Sequence, residues 1–162
     1  MNASGIFQGG AVHLLESESK FDAIKELIGK AAPLAKVRNR RGLEKAVIER
    51  ERMQSTACGH GIAFAHGKTT DVRNVIAVLG VSRKGILFDS PDGRPVHLLF
   101  VIASSPECQL DYLMILSSLA RVCYDEGLVR EAAEFASVER LEGRISSRLR
   151  EELSQTRIRM RR

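Results

Sequence analysis

The run Pro95-Val-His-Leu-Leu-Phe-Val-Ile-Ala103 is the most apolar stretch of the chain. A strand with apolar side chains on both faces cannot leave either face in water, so this segment reads as a central strand covered from both sides. Val12-His-Leu-Leu15 and Val75-Ile-Ala-Val-Leu-Gly-Val-Ser82 read as further strands, and Gly85-Ile-Leu-Phe-Asp89 as a short extended piece. Only that piece and the turn Ser90-Pro-Asp-Gly-Arg94 separate strand 75–82 from strand 96–103, which is too short for a helical crossover. Those two strands are therefore expected to pair antiparallel.

Helical spacing fills the intervals. Phe21, Ile24, Leu27, Ile28 and Ala31 form one stripe, with Ser19 as its expected N-cap and Asp22 three residues on. Leu43, Ala46 and Val47 form the stripe of a second helix over about 41–53. At about 100° per residue, position 50 returns to the middle of that stripe, which puts Arg50 on an apolar face while Glu49, Glu51 and Arg52 fall to the flanks as solvated charge. An arginine so placed either snorkels to solvent or projects into a polar pocket and meets an anion. Leu113, Leu116, Leu119, Ala120 and Cys123 make the helix over 110–124 apolar nearly all round and hence well buried. One or two helices over 128–153, capped at Ser137, close the domain. The class is α/β: a mixed central sheet flanked by helices on both faces.

Composition excludes several roles. At 162 residues the chain makes one domain, with no apolar run long enough to cross a bilayer. Met1-Asn-Ala-Ser-Gly-Ile-Phe-Gln8 is not a secretory signal. The net charge of +5 is local: residues 156–162 carry four arginines, and without them the balance is +1. Residues 155–162 therefore read as a basic, disordered tail, and specific nucleic-acid recognition is not expected. Three cysteines, Cys58, Cys108 and Cys123, without CxxC spacing fit reduced thiols in a cytoplasm.

Chemistry concentrates in Gly59-His-Gly-Ile-Ala-Phe-Ala-His-Gly67. Ile62 to Ala65 read as a buried strand that delivers His66 to its carboxyl end, where open α/β sheets place ligands. Gly67 would let the chain turn away sharply or approach a ligand. A structural histidine capping the strand is the plain alternative. Cys58, His60 and His66 could be read as zinc ligands, but their spacing is not a recognised pair and a fourth ligand is missing, so no metal is assigned. Cys58 lacks the base a nucleophilic thiol needs. Gly59-His-Gly61 resembles a phosphate-cradling loop only loosely. His97 reads as a hydrogen-bonded histidine on a sheet face.

Three segments in order carry a resemblance: Glu49-Arg-Glu-Arg-Met-Gln-Ser-Thr56, Gly59-His-Gly-Ile-Ala-Phe-Ala-His-Gly-Lys68 and Asp92-Gly-Arg-Pro-Val-His-Leu-Leu-Phe100. Together they resemble the enzyme IIA domain of the bacterial phosphotransferase system, in its fructose, mannitol and nitrogen-regulatory class, over about residues 10 to 150. The resemblance implies a IIA type 2 domain over residues 10–154, a phosphotransferase component rather than a free-standing metabolic enzyme. It implies that His66 accepts a phosphoryl group from the phosphocarrier HPr, that Arg50 lies beside it to stabilise the charge, and that Ser55, Thr56, Gly61 and Tyr112 are secondary candidates. The implied partners are HPr and a IIB domain or a regulated kinase or transporter, with no cofactor, no metal, no membrane and a cytoplasmic location. The stand-alone, nitrogen-regulatory form is favoured because no IIB or membrane segment is fused. Backbone N–H groups around Gly59 to Gly61 could supply further phosphate donors. Two positions depart from the family pattern. Ala65 replaces the proline that usually precedes the active histidine, which leaves that strand end less rigidly fixed. Tyr112 stands where a second active-site histidine is usual, beside Asp111. The rival reading is therefore a regulatory protein-binding module with weak or no phosphotransfer.

Overall fold

The computed structural model describes residues 7, 9–134 and 137–160. The amino-terminal residues 1–6 and 8, read above for a leader, and Arg161 and Arg162 of the basic end lie outside them. The described chain runs β1 (Val12–Leu14), α1 (Lys20–Lys30), α2 (Ala32–Ala35), α3 (Arg40–Met53), β2 (Ala57–Gly59), β3 (Ile62–Lys68), β4 (Ile76–Ile86), β5 (Val96–Ser104), a 3₁₀ turn (Pro106–Cys108), α4 (Gln109–Cys123), α5 (Glu126–Ala133) and α6 (Val138–Met160).

The five strands lie in the order β1-β4-β5-β3-β2, so the apolar β5 is central. β5 pairs antiparallel with β4, as the short connection demands, and parallel with β3. Each side chain on β3 alternates faces. Ala63 and Ala65 join the core formed with α1, α2 and α3, whereas Ile62 and Phe64 join the core formed with α4, α5 and α6. The result is three layers, a mixed sheet between two helical sheets of cover.

Several local expectations change. Ser19 does cap α1, but its hydroxyl donates to Asp22 Oδ2 (2.7 Å) instead of accepting a backbone N–H. At α6, Ser137 Oγ does accept from Arg140 N, at 3.1 Å. Of the separate extended piece expected over 85–89, Gly85 and Ile86 instead continue β4, and the loop after α3 contains the edge strand β2. α4 is buried along one stripe, Tyr112, Ile115, Ser118, Leu119, Val122 and Cys123, and leaves Leu110 and Leu113 exposed. A helix lying on a sheet presents only one face to it, however apolar the remainder. The basic end expected to lack structure continues α6 as far as Met160. The stripe Leu141, Ile145, Leu149 and Leu153 is buried, and extending a helix beyond its last buried turn gains a hydrogen bond per residue.

Gly67 has a different role from the one its position suggested. It lies within β3, facing α3, and a Cβ there would stand 2.7 Å from Val47 Cγ2 and 3.0 Å from Val47 N. Glycine lets α3 sit down on β3. Val47 is β-branched and helical, so it cannot turn away. Gly67→Ala is expected to cost about 1–3 kcal/mol and to lift α3, visible as a lower urea midpoint and as shifted amide resonances along residues 43–54.

Acid sensitivity has an identifiable source at the start of α1. Burial alone would raise the Glu26 carboxyl, but Lys30 and the Ser17 and Glu16 groups that hydrogen-bond to it pull it down to about 2. A folded-state value below the unfolded one stabilises the protein above the ordinary carboxylate range and loses that contribution as pH falls. Glu26→Gln should therefore lower stability at neutral pH and flatten its decline between 4.5, the unshifted value, and about 2, as followed by urea unfolding across that range.

Candidate functional site

α3 ends at Met53, and the chain then turns back along the outer edge of β3. Ala57 pairs with Ala63, and Phe64 N donates to Thr56 O at 3.2 Å. Continuing that antiparallel register brings Gln54 level with His66. On the other side, His66 is paired in parallel register with Ile102 of β5. After β5 the chain makes its 3₁₀ turn and enters α4, whose first turn carries Tyr112 to the same end of the sheet. The strand end thus meets α3 from one layer and α4 from the other.

His66 is half-buried, and its Nδ1 lies 3.0 Å from Phe64 O. A carbonyl oxygen only accepts, so Nδ1 carries the proton and the neutral ring keeps its lone pair on Nε2. The Tyr112 ring lies against the imidazole, centroid to centroid 5.5 Å, tilted by 46°. Burial pushes the Tyr112 phenol up, with Arg50 opposing from close enough to act on its charge. Tyr112 is thus a neutral hydroxyl, able to donate one hydrogen bond. Arg50 is half-buried and its Nη1 donates to Gln54 O at 3.1 Å, which fixes the guanidinium at the turn beside β3. The Tyr112 ring meets His66, and Arg50 is close enough to act on Tyr112.

The other candidates divide. Ser55 Oγ accepts from Ala57 N (3.3 Å) and Thr56 lies beside Phe64, so both shape the turn next to His66. Gly61 stands at the opposite end of β3, about 16 Å of strand from His66. The N–H of His60 there is already given to Asp92 Oδ2, at 2.7 Å. Cys58 and His60 are likewise remote from His66, and His60 lies by Tyr124 and Glu126 instead. Among the described residues no three His, Cys, Asp or Glu side chains are grouped to hold a metal. Burial raises the Cys58 thiol and pushes Cys123 up to about 12, the opposite of what a nucleophilic cysteine needs. His97 is the hydrogen-bonded sheet histidine expected, with Nδ1 2.7 Å from Ser82 O.

Glu51 is the residue that periodicity misplaced. Read as a flanking charge, it is 1% exposed. Its two oxygens accept from Thr56 N (3.1 and 3.2 Å), Oε2 accepts from Thr56 Oγ1 (2.5 Å), and Lys20 Nζ stands 3.8 Å from Oε1. The signal was present in the sequence as a carboxylate five residues before a threonine, but only the reversal of the chain after Met53 makes that spacing a contact.

A family model described as phosphoenolpyruvate-dependent sugar phosphotransferase system, EIIA 2, matches residues 6–147. The chain belongs to this family. As an EIIA type 2 chain it is 32% identical over 117 residues to the nitrogen regulatory protein of Bradyrhizobium diazoefficiens, covering 72% of this chain and 76% of that protein. It is also 32% identical over 123 residues to the fructose-specific EIIABC component of Bacillus subtilis, covering 76% of this chain but 19% of that much longer protein. In three dimensions this EIIA chain resembles the nitrogen regulatory protein IIA-Ntr of Neisseria meningitidis, with a TM-score of 0.76 at 22% identity, over 88% of this chain and 97% of that one. The IIA mannitol structure from Escherichia coli shares the fold at a TM-score of 0.67 and 21% identity, over 90% and 98% of the two chains.

The Glu51 clasp in this EIIA chain is open to test. Glu51→Ala strands the Thr56 N–H and hydroxyl in a buried place, and is expected to cost about 1–3 kcal/mol. Thr56→Val should cost less, and the double variant less than the two together, because both remove the same contact. Additive losses in urea unfolding would show that Glu51 and Thr56 act separately.

Proposed function

We propose that His66 is a phosphoryl acceptor, loaded from phosphorylated HPr, and that the chain passes the group to a IIB partner or holds it as a regulatory signal. The observation that carries this reading is the hydrogen bond from His66 Nδ1 to Phe64 O, which reserves Nε2 as the nucleophile. In the transfer the P–N bond to the donor histidine breaks as a bond from Nε2 to phosphorus forms, and no proton need be lost from Nδ1. Such transfer depends on positioning and charge neutralisation more than on covalent help. Arg50 supplies a permanent positive charge with paired donors for phosphate oxygens, and Tyr112 one neutral donor. We assign this relay to a domain over residues 10–154, acting in the cytoplasm.

Support for a macromolecular donor comes from the surface beside the site. Leu110 and Leu113, 61% and 50% exposed, flank Tyr112 on α4, and Met53, 82% exposed, ends α3 just before Gln54. These exposed apolar side chains lie on the elements that carry Tyr112 and Arg50, where a small protein donor would dock. Among neighbours of the same fold is the IIA mannitol domain of Escherichia coli in complex with phosphorylated IIB mannitol, which fits a IIB partner here. No helix among the described residues is long and apolar enough to cross a membrane. The nitrogen-regulatory variant of the reading is supported by relatives carrying that name.

A second reading is favoured by one residue. Tyr112 cannot become cationic, so it neutralises none of the phosphate charge and leaves that task to Arg50. Phosphate at His66 would then serve chiefly to alter a binding surface, with slow onward transfer.

Incubation with phosphoenolpyruvate, enzyme I and HPr should add one acid-labile phosphoryl group to the intact protein and none to His66→Ala. Arg50→Ala is expected to slow loading by about tenfold or more without unfolding the domain. Tyr112→His should speed loading or prolong the phosphohistidine. Absence of any phosphoryl gain with active HPr would reject the relay and leave the binding-module reading.

A further inference from the structure

The amino-terminal ends of β3 and β5 carry a second set of chemistry-bearing side chains, about 16 Å of strand from His66 and unused by the relay. A cavity of about 240 Å³ opens there between the sheet and α5. His60, Arg94, His97, Glu126, Val129 and Arg130 line it. It is smaller than the roughly 300–1,000 Å³ of drug-sized sites, which suits a small metabolite.

The backbone around this cavity is held in an uncommon conformation. Gly59, His60 and Gly61 all have positive φ, 83°, 56° and 79°. For a histidine this costs about 1 kcal/mol and persists only where neighbours impose it. Asp92 imposes it: Oδ2 accepts from His60 N at 2.7 Å while Oδ1 accepts from Arg94 N at 3.1 Å, so one carboxylate sets two residues of the rim. Gly61 keeps the space open, since a Cβ there would lie 2.6 Å from Val129 Cγ1. His97 closes the inner wall, its Nδ1 committed to Ser82 O and its Nε2 bonded to none of the described residues.

Charged and polar side chains converge here: two guanidiniums and two imidazoles line the cavity with Glu126, which stands 3.7 Å from His60 Nδ1, and Asp92 sits on the rim. Arg130 makes no ion pair among the described residues, while the charge of Arg94 acts on Asp92. Arg130, matched to no acid among the described residues, together with Arg94 and a small apolar wall at Val129, selects an anion with a short carbon body.

We infer that this cavity binds a small organic dianion through Arg94 and Arg130, with the imidazoles of His60 and His97 as additional donors or acceptors. The site is separate from His66, so its occupant need not compete with phosphoryl transfer, and its existence does not depend on the relay being active.

The test is a titration of the ¹⁵N-labelled full chain with glycerol 3-phosphate and, separately, with succinate, at fixed ionic strength. Saturable shifts at His60, Gly61, His97 and Val129, with a dissociation constant of about 1 mM or tighter, are expected from at least one probe. Response to glycerol 3-phosphate alone makes the recognised group a phosphate, and response to succinate alone makes it a pair of carboxylates. Arg94→Ala and Arg130→Ala should each weaken binding by about tenfold or more, and His66→Ala should leave it unchanged. The inference is overturned if neither probe shifts these resonances, if shifts appear only around His66 and Arg50, or if the two arginine variants bind like the parent.

Discussion

The parallel pairing of β3 with β5 is the constraint on which the remainder depends. β5 is buried on both faces, so every strand and helix beside it is placed by the need to cover it. β3 lies in register along it from Ile62 to Lys68, and that register alone determines that His66 emerges at the carboxyl ends of both strands. A slip of one residue would turn the imidazole into the core with α3 and put Ala65 in its place. Seven consecutive paired positions, with Ile62 to Ala65 buried on both faces, make such a slip costly.

Around this frame the site is assembled from two layers that do not otherwise meet. α3 supplies Arg50 from one face and α4 supplies Tyr112 from the other, and the edge of β3 beyond β2 is where they can approach. The turn after Met53 is therefore pinned from several sides. Glu51 clasps Thr56, Arg50 clasps Gln54, and Gly67 lets α3 lie close. Together the three fix where the Arg50 charge stands. Placing a full negative charge in the interior is tolerable only because Thr56 gives it two donors and Lys20 stands nearby.

The two ends of β3 have opposite characters. At the carboxyl end one imidazole is held by a strand carbonyl and bordered by exposed apolar side chains, an arrangement suited to a protein that docks and leaves. The amino end offers a recessed cavity with a positive-φ histidine on its rim and, among the described residues, an arginine matched to no acid, suited to a small ligand. A single strand joins them, so the two proposed functions would not share a surface.

Much of this was legible in residues. Apolar runs located β5, β4 and β3, the short connection at 83–95 required antiparallel pairing, and helical phasing alone put Arg50 on the inward face of α3. Motif order gave the family, and with it His66 and the departure at Tyr112. Local pattern could not see what depends on chain reversal or on which face a helix shows. Glu51 looked like solvated charge because its partner is reached only after the turn at Gln54. Gly67 looked like a hinge because Val47 is remote in sequence. Leu113 looked buried because apolar periodicity does not say that a helix on a sheet has only one covered side. Gly61 looked like part of the phosphate site, being five residues from His66, but five residues of extended strand separate rather than unite. Sequence by itself determined the elements and the inward face that carries Arg50, since these follow from side-chain chemistry at short range, and its motifs pointed to His66. Only the tertiary structure decided which charges are buried and which end of the sheet each histidine serves, because burial and proximity are set by how distant segments pack.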